Sequence, residues 1–150
     1  MVTTVTGATG HVGAYLVRAL INQGRTVRAM VHVDRRAVEG LDIEIVKGDV
    51  RDLDSLCRAF DGSEVVYHLA TYISLLMNEW PQCASINITG VRNVIEACVR
   101  TGVRRLVHFS SIHASEQMPK DSPVDEKRPL VKSHRCPPYD RSKADGEREV

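Results

Sequence analysis

Short apolar segments alternate with segments of helical periodicity along most of the chain. Five of the apolar segments have the length and the β-branched content that buried strands show. They cover residues 2–6, 26–31, 43–46, 65–69 and 106–109. Because strands that alternate with helices pair in parallel and carry the helices on both faces, the pattern predicts one α/β domain.

Helices are predicted in the intervals between these strands. The apolar positions of the first follow the spacing of one helix face and are Val12, Tyr15, Leu16, Ala19 and Leu20. A short helix carries Leu53, Leu56, Cys57 and Phe60, and a longer one carries Ile86, Val91, Val94, Ile95, Cys98 and Val99. Crossovers between parallel strands are right-handed, so we expect a Rossmann-type doubly wound parallel sheet of strand order 3-2-1-4-5. Its ligand crevice would lie at the carboxyl ends of strands one and four.

Residues 112–138 break this alternation. Five prolines fall in the segment, and no helical or strand period is sustained through it. Long loops inside a domain are usually functional or disordered. Two interpretations stay open, a solvated surface and a flap that faces the substrate. A last helix is predicted to start after Pro138 and to run to the end of the sequence.

Composition and charge narrow the possible partners. A chain of 150 residues with a hydrophobic content of 43% fits one domain over residues 1–150. Twenty Lys and Arg against nineteen Asp and Glu leave a formal charge of +1, too little for an electrostatic footprint on nucleic acid or an anionic membrane. No apolar stretch approaches the ~20 residues of a membrane span. We therefore expect no nucleic-acid partner and no membrane partner.

The cysteines and histidines argue against disulfides and metals. The four cysteines are far apart and form no CxxC pair, which fits reduced thiols and a cytoplasmic protein. The absence of a basic leader followed by an apolar run agrees with a cytoplasmic location. None of the histidines has a partner at metal-ligand spacing, so no metal site is predicted.

Three glycines, Gly7, Gly10 and Gly13, lie three residues apart between the first strand and the first helix. A strand that turns directly into a helix exposes free N–H groups and the positive end of the helix dipole, and both suit a pyrophosphate. Gly7 permits the tight turn, Gly10 lets the ligand approach the backbone, and Gly13 lets the helix pack against the strand. The spacing therefore favours dinucleotide binding over a purely structural turn.

Six short motifs follow in a recognisable order. They are TGATGHVG at 6–13, GDVRD at 48–52, HLA at 68–70, NITGVRNVIEAC at 87–98, HFSSIHA at 108–114 and YDRSK at 139–143. In these motifs the chain resembles the extended short-chain dehydrogenases and reductases, the NAD(P)-dependent epimerases and dehydratases. It is most similar to their dihydroflavonol-reductase-like branch. The resemblance implies a sixth strand and a substrate-binding region after this point, so the fold is expected to be truncated before them.

The same resemblance implies a catalytic group of Ser111, Tyr139 and Lys143. Tyr139 and Lys143 stand at i and i+4, which places both side chains on one face of a helix. A neighbouring ammonium favours the phenolate, which can exchange a proton with a substrate oxygen. The resemblance assigns a substrate-holding hydroxyl to the end of strand five, where Ser110 and Ser111 are available. Ser111 matches the last serine of the family's pattern.

Cofactor contacts are also implied by the resemblance. Asp49 and Val50 match positions beside the adenine, and Leu69, Ala70 and Thr71 match the stretch along the ribose and phosphates. Further contacts are expected from the phosphate turn and the nicotinamide half, namely Gly7, Gly10, His11, Val12, Gly13, Asn87, Tyr139 and Lys143. Structural alternatives stay open: a helix-capping Asp49, an apolar strand end at Leu69 and an Asn87 bonded to backbone.

The end of strand two indicates which dinucleotide is preferred. A carboxylate there would bind the 2'-hydroxyl of NAD and repel the 2'-phosphate of NADP. This chain has Val31 at that position, followed by His32 and then by Arg35 and Arg36, whose guanidinium groups suit a phosphate. We predict NADP as the preferred cofactor, with NAD as the alternative.

Three functions remain in view. The first is an epimerase, dehydratase or reductase that moves a hydride to or from nicotinamide, on a nucleotide sugar or a small ketone or alcohol. The second is a non-catalytic NADP-binding or sensing module. The third is a partner-binding protein in which the glycine turn is a relic. The tyrosine and lysine favour the first, with a small-molecule substrate. We also expect that the 150-residue chain alone shows no turnover and that its open strand-five edge permits a homodimer.

Overall fold

The computed structural model describes residues 1–132 and 134–150. Within these residues, five parallel strands form one sheet in the order β3-β2-β1-β4-β5. The strands are β1 (Val2–Thr6), β2 (Thr26–Val31), β3 (Glu44–Lys47), β4 (Ser63–His68) and β5 (Arg105–His108). The doubly wound order predicted from the sequence is confirmed, and the predicted strand limits differ from the observed ones by at most two residues.

Helices cover both faces of the sheet. They are α1 (His11–Asn22), α2 (Leu53–Phe60), α3 (Trp80–Ala84), α4 (Gly90–Thr101) and α5 (Pro138–Glu149). A π-helical turn, Ser85–Thr89, joins α3 to α4. The longer helix predicted around Val91 is therefore part of a continuous helical segment that contains a π-helical turn. Such π-helical turns often mark functional sites.

The buried face of α1 agrees with the predicted one at Leu20 and differs from it at Val12 and Tyr15. Val12 and Tyr15 are 55% and 68% exposed, whereas the buried positions of the helix are Gly13, Val17 and Leu20. The reason is the contact at Gly13, where a Cβ atom would lie 2.1 Å from the carbonyl oxygen of Gly7. This contact turns the Gly13 side of the helix toward the sheet and turns Val12 and Tyr15 outward.

Two apolar cores lie on opposite faces of the sheet. One is formed under α2 and α4 and contains Met30, Leu56, Phe60, Val66 and Val94. The other is formed under α1 and contains Val5, Val17, Leu20, Val27 and Val31. The alternation of neighbouring β2 residues between the two cores is the two-residue period of a strand that is buried on both sides.

The proline-rich segment is attached to the domain at both ends. Ser115 forms an isolated antiparallel bridge with Leu130, and Arg148 of α5 donates hydrogen bonds to the carbonyls of Leu130 and Val131. Between these points residues 117–127 are exposed. Arg128 ties this exposed part together by donating to several of its carbonyl groups. No helix in the described part of the chain has the length and apolar content to cross a membrane.

Candidate active site

A cavity of about 570 Å³ opens at the carboxyl ends of the strands. The predicted site residues on its wall are Gly7, Gly10, His11, Val12, Gly13, His32, Asp49, Val50, Leu69, Ala70, Thr71, Tyr139 and Lys143. Three other predicted residues, Ser111, Arg35 and Asn87, do not line it. The wall also includes Arg51 and Ile73, which sequence reasoning missed, and Ser110, which was passed over in favour of Ser111. The structure thus brings most of the predicted set to one crevice.

The glycine turn forms the floor of the cavity. Gly7 has φ +67, and a Cβ atom there would lie 2.6 Å from the backbone nitrogen of Ala70. Both facts exclude a side chain, because that conformation is unfavourable for other residues and the space is filled. Gly10 is the N-cap of α1 without a side-chain cap, and the first turn contains no acidic residue. The positive end of α1 is therefore available to an anion on the cavity side.

A cluster of His32, Asp49 and Arg51 lies on the wall next to β2 and β3. Asp49 accepts two-pronged hydrogen bonds from Arg51, the shortest at 2.6 Å, and its Oδ2 lies 3.3 Å from His32 Nε2. The Arg51 guanidinium lowers the pKa of the Asp49 carboxyl to about 2. The carboxylate is thus committed to these partners and does not cap a helix, since Asp52 is the N-cap of α2. Arg51 belongs to the GDVRD motif, and its place in that motif could have indicated that it lines the cavity.

Arg35 and Arg36 point to partners outside the cavity. Arg35 forms an ion pair of 3.3 Å with Glu39, and Arg36 one of 2.6 Å with Asp34. The arginine side chains are 64% and 86% exposed, so these pairs are in water and contribute little to stability. Such exposed pairs leave the guanidinium groups able to change partners.

Lys143 and Tyr139 lie on the part of the cavity wall that is formed by the first two turns of α5. The Lys143 ammonium donates a hydrogen bond of 2.7 Å to the carbonyl of Phe109, and the residue is only 5% exposed. Burial lowers the pKa of Lys143 to about 8, and the nearby Glu147 carboxylate acts in the opposite direction. Tyr139 is half-buried and reaches the cavity.

The two serines after β5 have different surroundings. Ser110 lines the cavity and donates a short hydrogen bond to Glu147 Oε2. Ser111 does not line the cavity, and its hydroxyl oxygen accepts a hydrogen bond of 3.2 Å from the backbone N–H of His113. The assignment of the substrate-holding hydroxyl to Ser111 stays a prediction, with Ser110 as the residue nearer the cavity.

Asn87 is buried in the π-helical turn and joins three segments. Its Oδ1 accepts from the Tyr72 backbone at 2.8 Å and from the Thr71 hydroxyl at 3.0 Å. Its Nδ2 donates to the Tyr72 carbonyl and to the Ser142 hydroxyl, both at 2.8 Å. This geometry corresponds to the backbone-bonded alternative for Asn87, so its contact with a cofactor stays a prediction.

Buried His68 and half-buried His108 form a pair of neighbouring rings at the ends of β4 and β5. His68 and His108 are register partners on β4 and β5, with ring centroids 5.4 Å apart. His68 Nδ1 is hydrogen-bonded to the Thr6 hydroxyl at 2.7 Å, while its Nε2 and both ring nitrogens of His108 have no partner within the described residues. Burial lowers the pKa of His68 to about 3 and that of His108 to about 4. Both rings are therefore neutral at pH 7. Residues 1–132 and 134–150 contain no group of three side chains able to hold a metal ion.

The sheet order, the glycine turn at its crevice and the Tyr139–Lys143 wall together define a Rossmann-type protein of the short-chain dehydrogenase/reductase class. Comparison with known families agrees with this class. The model of the 3-beta hydroxysteroid dehydrogenase/isomerase family matches residues 4–150. The chain belongs to that family, and the resemblance seen in its motifs is confirmed.

Individual relatives support the same grouping. The chain is 38% identical to sterol demethylase protein B of Methylococcus capsulatus, a match that covers 100% of this chain and 46% of the relative. It is 38% identical to a putative dihydroflavonol 4-reductase of Synechocystis, over 73% of this chain and 32% of the relative. The solved structure of Thermus thermophilus UDP-glucose 4-epimerase complexed with NAD has a TM-score of 0.83 at 27% identity and covers 99% of this chain and 49% of its own. The chain thus spans no more than about half the length of these relatives.

Proposed function

We propose that this domain binds a nicotinamide dinucleotide and interconverts a hydroxyl and a carbonyl group by hydride transfer. The observation that supports this most directly is that one cavity has an uncapped glycine turn as its floor and buried Lys143 and half-buried Tyr139 on its wall. A turn of the first kind suits a pyrophosphate, and a tyrosine beside an ammonium suits proton exchange. The activity is that of an epimerase, dehydratase or reductase.

The cavity fits such a cofactor by the chemistry of its wall. The backbone of the glycine turn would hold the pyrophosphate, Asp49 and Val50 the adenine end, and Tyr139 and Lys143 the nicotinamide ribose. The nicotinamide, when bound, gives or accepts the hydride. The UDP-glucose 4-epimerase structure has NAD as its cofactor. For this chain we propose NADP as the preferred form. The last residue of β2 is Val31 and the next is His32, so neither of them is a carboxylate.

Proton transfer is the part of the reaction that falls to this chain's side chains. Tyr139 would exchange a proton with the substrate oxygen, and Lys143 would hold the phenolate form by its charge. Ser111, or Ser110 on the cavity wall, would hold that same oxygen. In this arrangement the hydroxyl and the phenol meet one substrate atom from two sides, which fixes it for hydride transfer.

The substrate is a nucleotide sugar or a small ketone or alcohol. Ile73 lines the cavity, and the neighbouring Leu75, Leu76 and Met77 are 71%, 60% and 57% exposed. Exposed apolar side chains beside the cavity suit an apolar ligand better than a charged one. This feature favours the reductase branch, and a ketone or alcohol with an apolar body, over a nucleotide sugar.

The test is a cofactor titration followed by a substrate scan, carried out with Tyr139→Phe beside the parent in a protein that includes the expected substrate-binding region, because the 150-residue chain alone is expected to show no turnover. Removal of the phenolic oxygen should lower turnover ~100-fold or more, since that is the usual loss for a general acid or base. Cofactor affinity should change little because the ring remains. Undiminished turnover in Tyr139→Phe would contradict the catalytic assignment.

The same titration separates the alternatives. Tight dinucleotide binding without turnover on nucleotide sugars or ketones, in a protein that includes the expected substrate-binding region, would indicate the non-catalytic sensing module. Failure of NADP(H) and NAD(H) to bind would contradict the proposal as a whole and leave the glycine turn a structural feature.

A further inference from the structure

One arginine lies on the cavity wall at the end where the adenosine is proposed to bind. Arg51 follows Asp49 and Val50 in the loop after β3, and all three residues line the cavity. Arg35 and Arg36, the arginines that the sequence pointed to, do not line it. Within the described residues, no guanidinium group other than that of Arg51 belongs to the wall.

Asp49 holds the Arg51 side chain by one edge. The carboxylate accepts hydrogen bonds from Arg51 Nε at 3.0 Å and from Nη2 at 2.6 Å, and its Oδ1 also accepts from the Arg51 backbone N–H at 2.9 Å. A guanidinium group that is already held in this way loses little freedom when it binds a ligand. The arginine is therefore preorganised on the wall.

Another edge of the same guanidinium group stays open. Asp49 engages the Nε–Nη2 edge, and among the hydrogen bonds of the described residues none is donated by Nη1. The Arg51 side chain is 44% exposed. The Nη1–Nη2 edge presents two parallel N–H donors, which is the geometry that binds two oxygens of a phosphate. Arg51 can thus keep Asp49 on one edge and bind a phosphate on the other.

His32 brings a second donor to the same place. Its Nε2 lies 3.3 Å from Asp49 Oδ2, the oxygen that also accepts from Arg51 Nη2. This distance exceeds the usual length of an N–H···O hydrogen bond, and the side chain is 63% exposed, so exchanging the contact for a ligand oxygen costs little. His32 is also the first residue after β2, where Rossmann-type proteins bind the adenosine ribose.

The charges of the wall permit a phosphate at this position. Asp49 is the only acidic residue that lines the cavity within the described part of the chain, and Arg51 pairs with both of its oxygens. Lys143, the other strongly basic residue of the wall, is on α5 and donates to the Phe109 carbonyl. The adenosine end therefore combines a carboxylate that is already paired with an arginine that has an open edge.

We propose that Arg51 is the residue that distinguishes NADP from NAD, by binding the 2'-phosphate through its Nη1–Nη2 edge while Asp49 holds the Nε–Nη2 edge. His32 is the second donor to the same phosphate. This inference rests on the proposed function. The selecting residue then comes from the loop after β3, and the arginines that follow β2 have a smaller share.

The first test compares NADPH and NADH by isothermal titration calorimetry. Arg51→Leu should lower the ratio of their affinities about fivefold or more, because it removes charge-assisted hydrogen bonds to the phosphate. The affinity for NADH should change much less, since NADH has a hydroxyl group in place of that phosphate. Arg51→Lys keeps the charge without the fork and should retain part of the ratio. It is also the second variant if Arg51→Leu does not fold.

Arg36 offers a matched control. Its backbone N–H, Nε and Nη2 bind Asp34 as those of Arg51 bind Asp49, but Arg36 does not line the cavity. Arg36→Leu should leave the ratio unchanged. An unchanged ratio in a folded Arg51 variant, or an equal fall in Arg36→Leu, would overturn the assignment.

The second test uses adenosine bisphosphates, which lack the nicotinamide half of the cofactor. Adenosine 2',5'-bisphosphate should bind more tightly than adenosine 3',5'-bisphosphate, which has the same charge but carries the phosphate on the neighbouring oxygen. Arg51→Leu should remove this difference. Equal binding of the two by the parent would show a general attraction of anions and would overturn the 2'-phosphate site. Failure of the parent to bind either NADPH or NADH would instead contradict the proposed function, so the two failures are distinguishable.

Discussion

At the scale of single residues, the sequence predicted the glycines of the cavity floor but not which arginine side chains reach the cavity. Gly7 and Gly13 were predictable because the reason for a glycine is local, a turn and a helix start in one short segment. Arg51 was not predicted to line the cavity, and Arg35 was predicted at the cofactor but pairs with Glu39. Which arginine reaches the cavity depends on the path of the chain after β2 and β3. No periodicity encodes that path.

Cofactor preference is a question for single side chains. We expect NADPH to bind about tenfold more tightly than NADH, a difference of about 1.4 kcal/mol, because the residue after β2 is His32, and the Asp49 carboxylate that contacts it is paired with Arg51. Arg35→Ala should reduce this ratio, since its exposed pair with Glu39 is weak enough to exchange for a phosphate. Isothermal titration calorimetry with both cofactors measures the ratio.

A matched control exists on α4. Arg100 is also an exposed arginine in an i,i+4 pair, with Glu96, and is not part of the cavity wall. Arg100→Ala should leave the ratio unchanged. Equal affinities of the parent protein for the two cofactors would contradict the predicted preference.

Elements were predicted more reliably than their faces. The strands, the helices and the sheet order follow from periodicity and from the right-handed crossover rule, both of which act over short segments. The face of α1 was predicted correctly at Leu16 and Leu20 and wrongly at Val12 and Tyr15, because the contact of Gly13 with Gly7 outweighs the apolar character of those two positions. Close packing at a glycine has no hydrophobic signature. The π-helical turn was likewise not predicted, because it depends on the hydrogen bonds of Asn87 to a distant loop.

The packing of α1 gives a prediction at the same scale. Alanine normally stabilises a helix by about 1 kcal/mol relative to glycine. Gly13→Ala should nevertheless destabilise the protein by more than that, because its Cβ would lie 2.1 Å from the Gly7 carbonyl oxygen. Chemical denaturation measures the change in the free energy of unfolding.

Gly24→Ala separates crowding from backbone strain. Gly24 has φ +71, and no atom lies within 4 Å of the position that a Cβ would take, so only the left-handed conformation opposes the substitution. Its cost should be about 1–2 kcal/mol, and smaller than that of Gly13→Ala. A stabilised Gly13→Ala protein would be incompatible with the packing described for α1.

At the scale of the whole molecule, His68 and His108, whose unpaired ring nitrogens are buried, couple stability to pH. In the unfolded chain a histidine takes up a proton near pH ~6.5, whereas in the folded protein the pKa values of His68 and His108 lie at about 3 and about 4. At pH values between the folded-state and the unfolded-state pKa, the unfolded chain binds more protons than the folded protein. The free energy of unfolding therefore falls as the pH decreases through this range. The slope is at most about 1.4 kcal/mol per pH unit for each histidine, and it vanishes above pH ~6.5.

Urea denaturation at pH values from 7 down to about 5 checks this dependence, since carboxylates dominate at lower pH. His108→Asn should reduce the slope, and His134→Asn, which changes an exposed histidine, should not. A parent protein whose stability is constant over this range would show that the two rings are accessible to protons in the folded state.

The four hydrogen bonds of Asn87 have a consequence for the order in which parts of the protein open. The loop after β4, the π-helical turn and the Tyr139–Lys143 helix all use this one amide, so none of them can separate without breaking bonds of the others. In hydrogen-exchange terms we expect them to open as a single cooperative unit, and the exposed residues 117–127 to exchange separately from it. The phenol and the ammonium should therefore keep their positions relative to the cavity floor when residues 117–127 open.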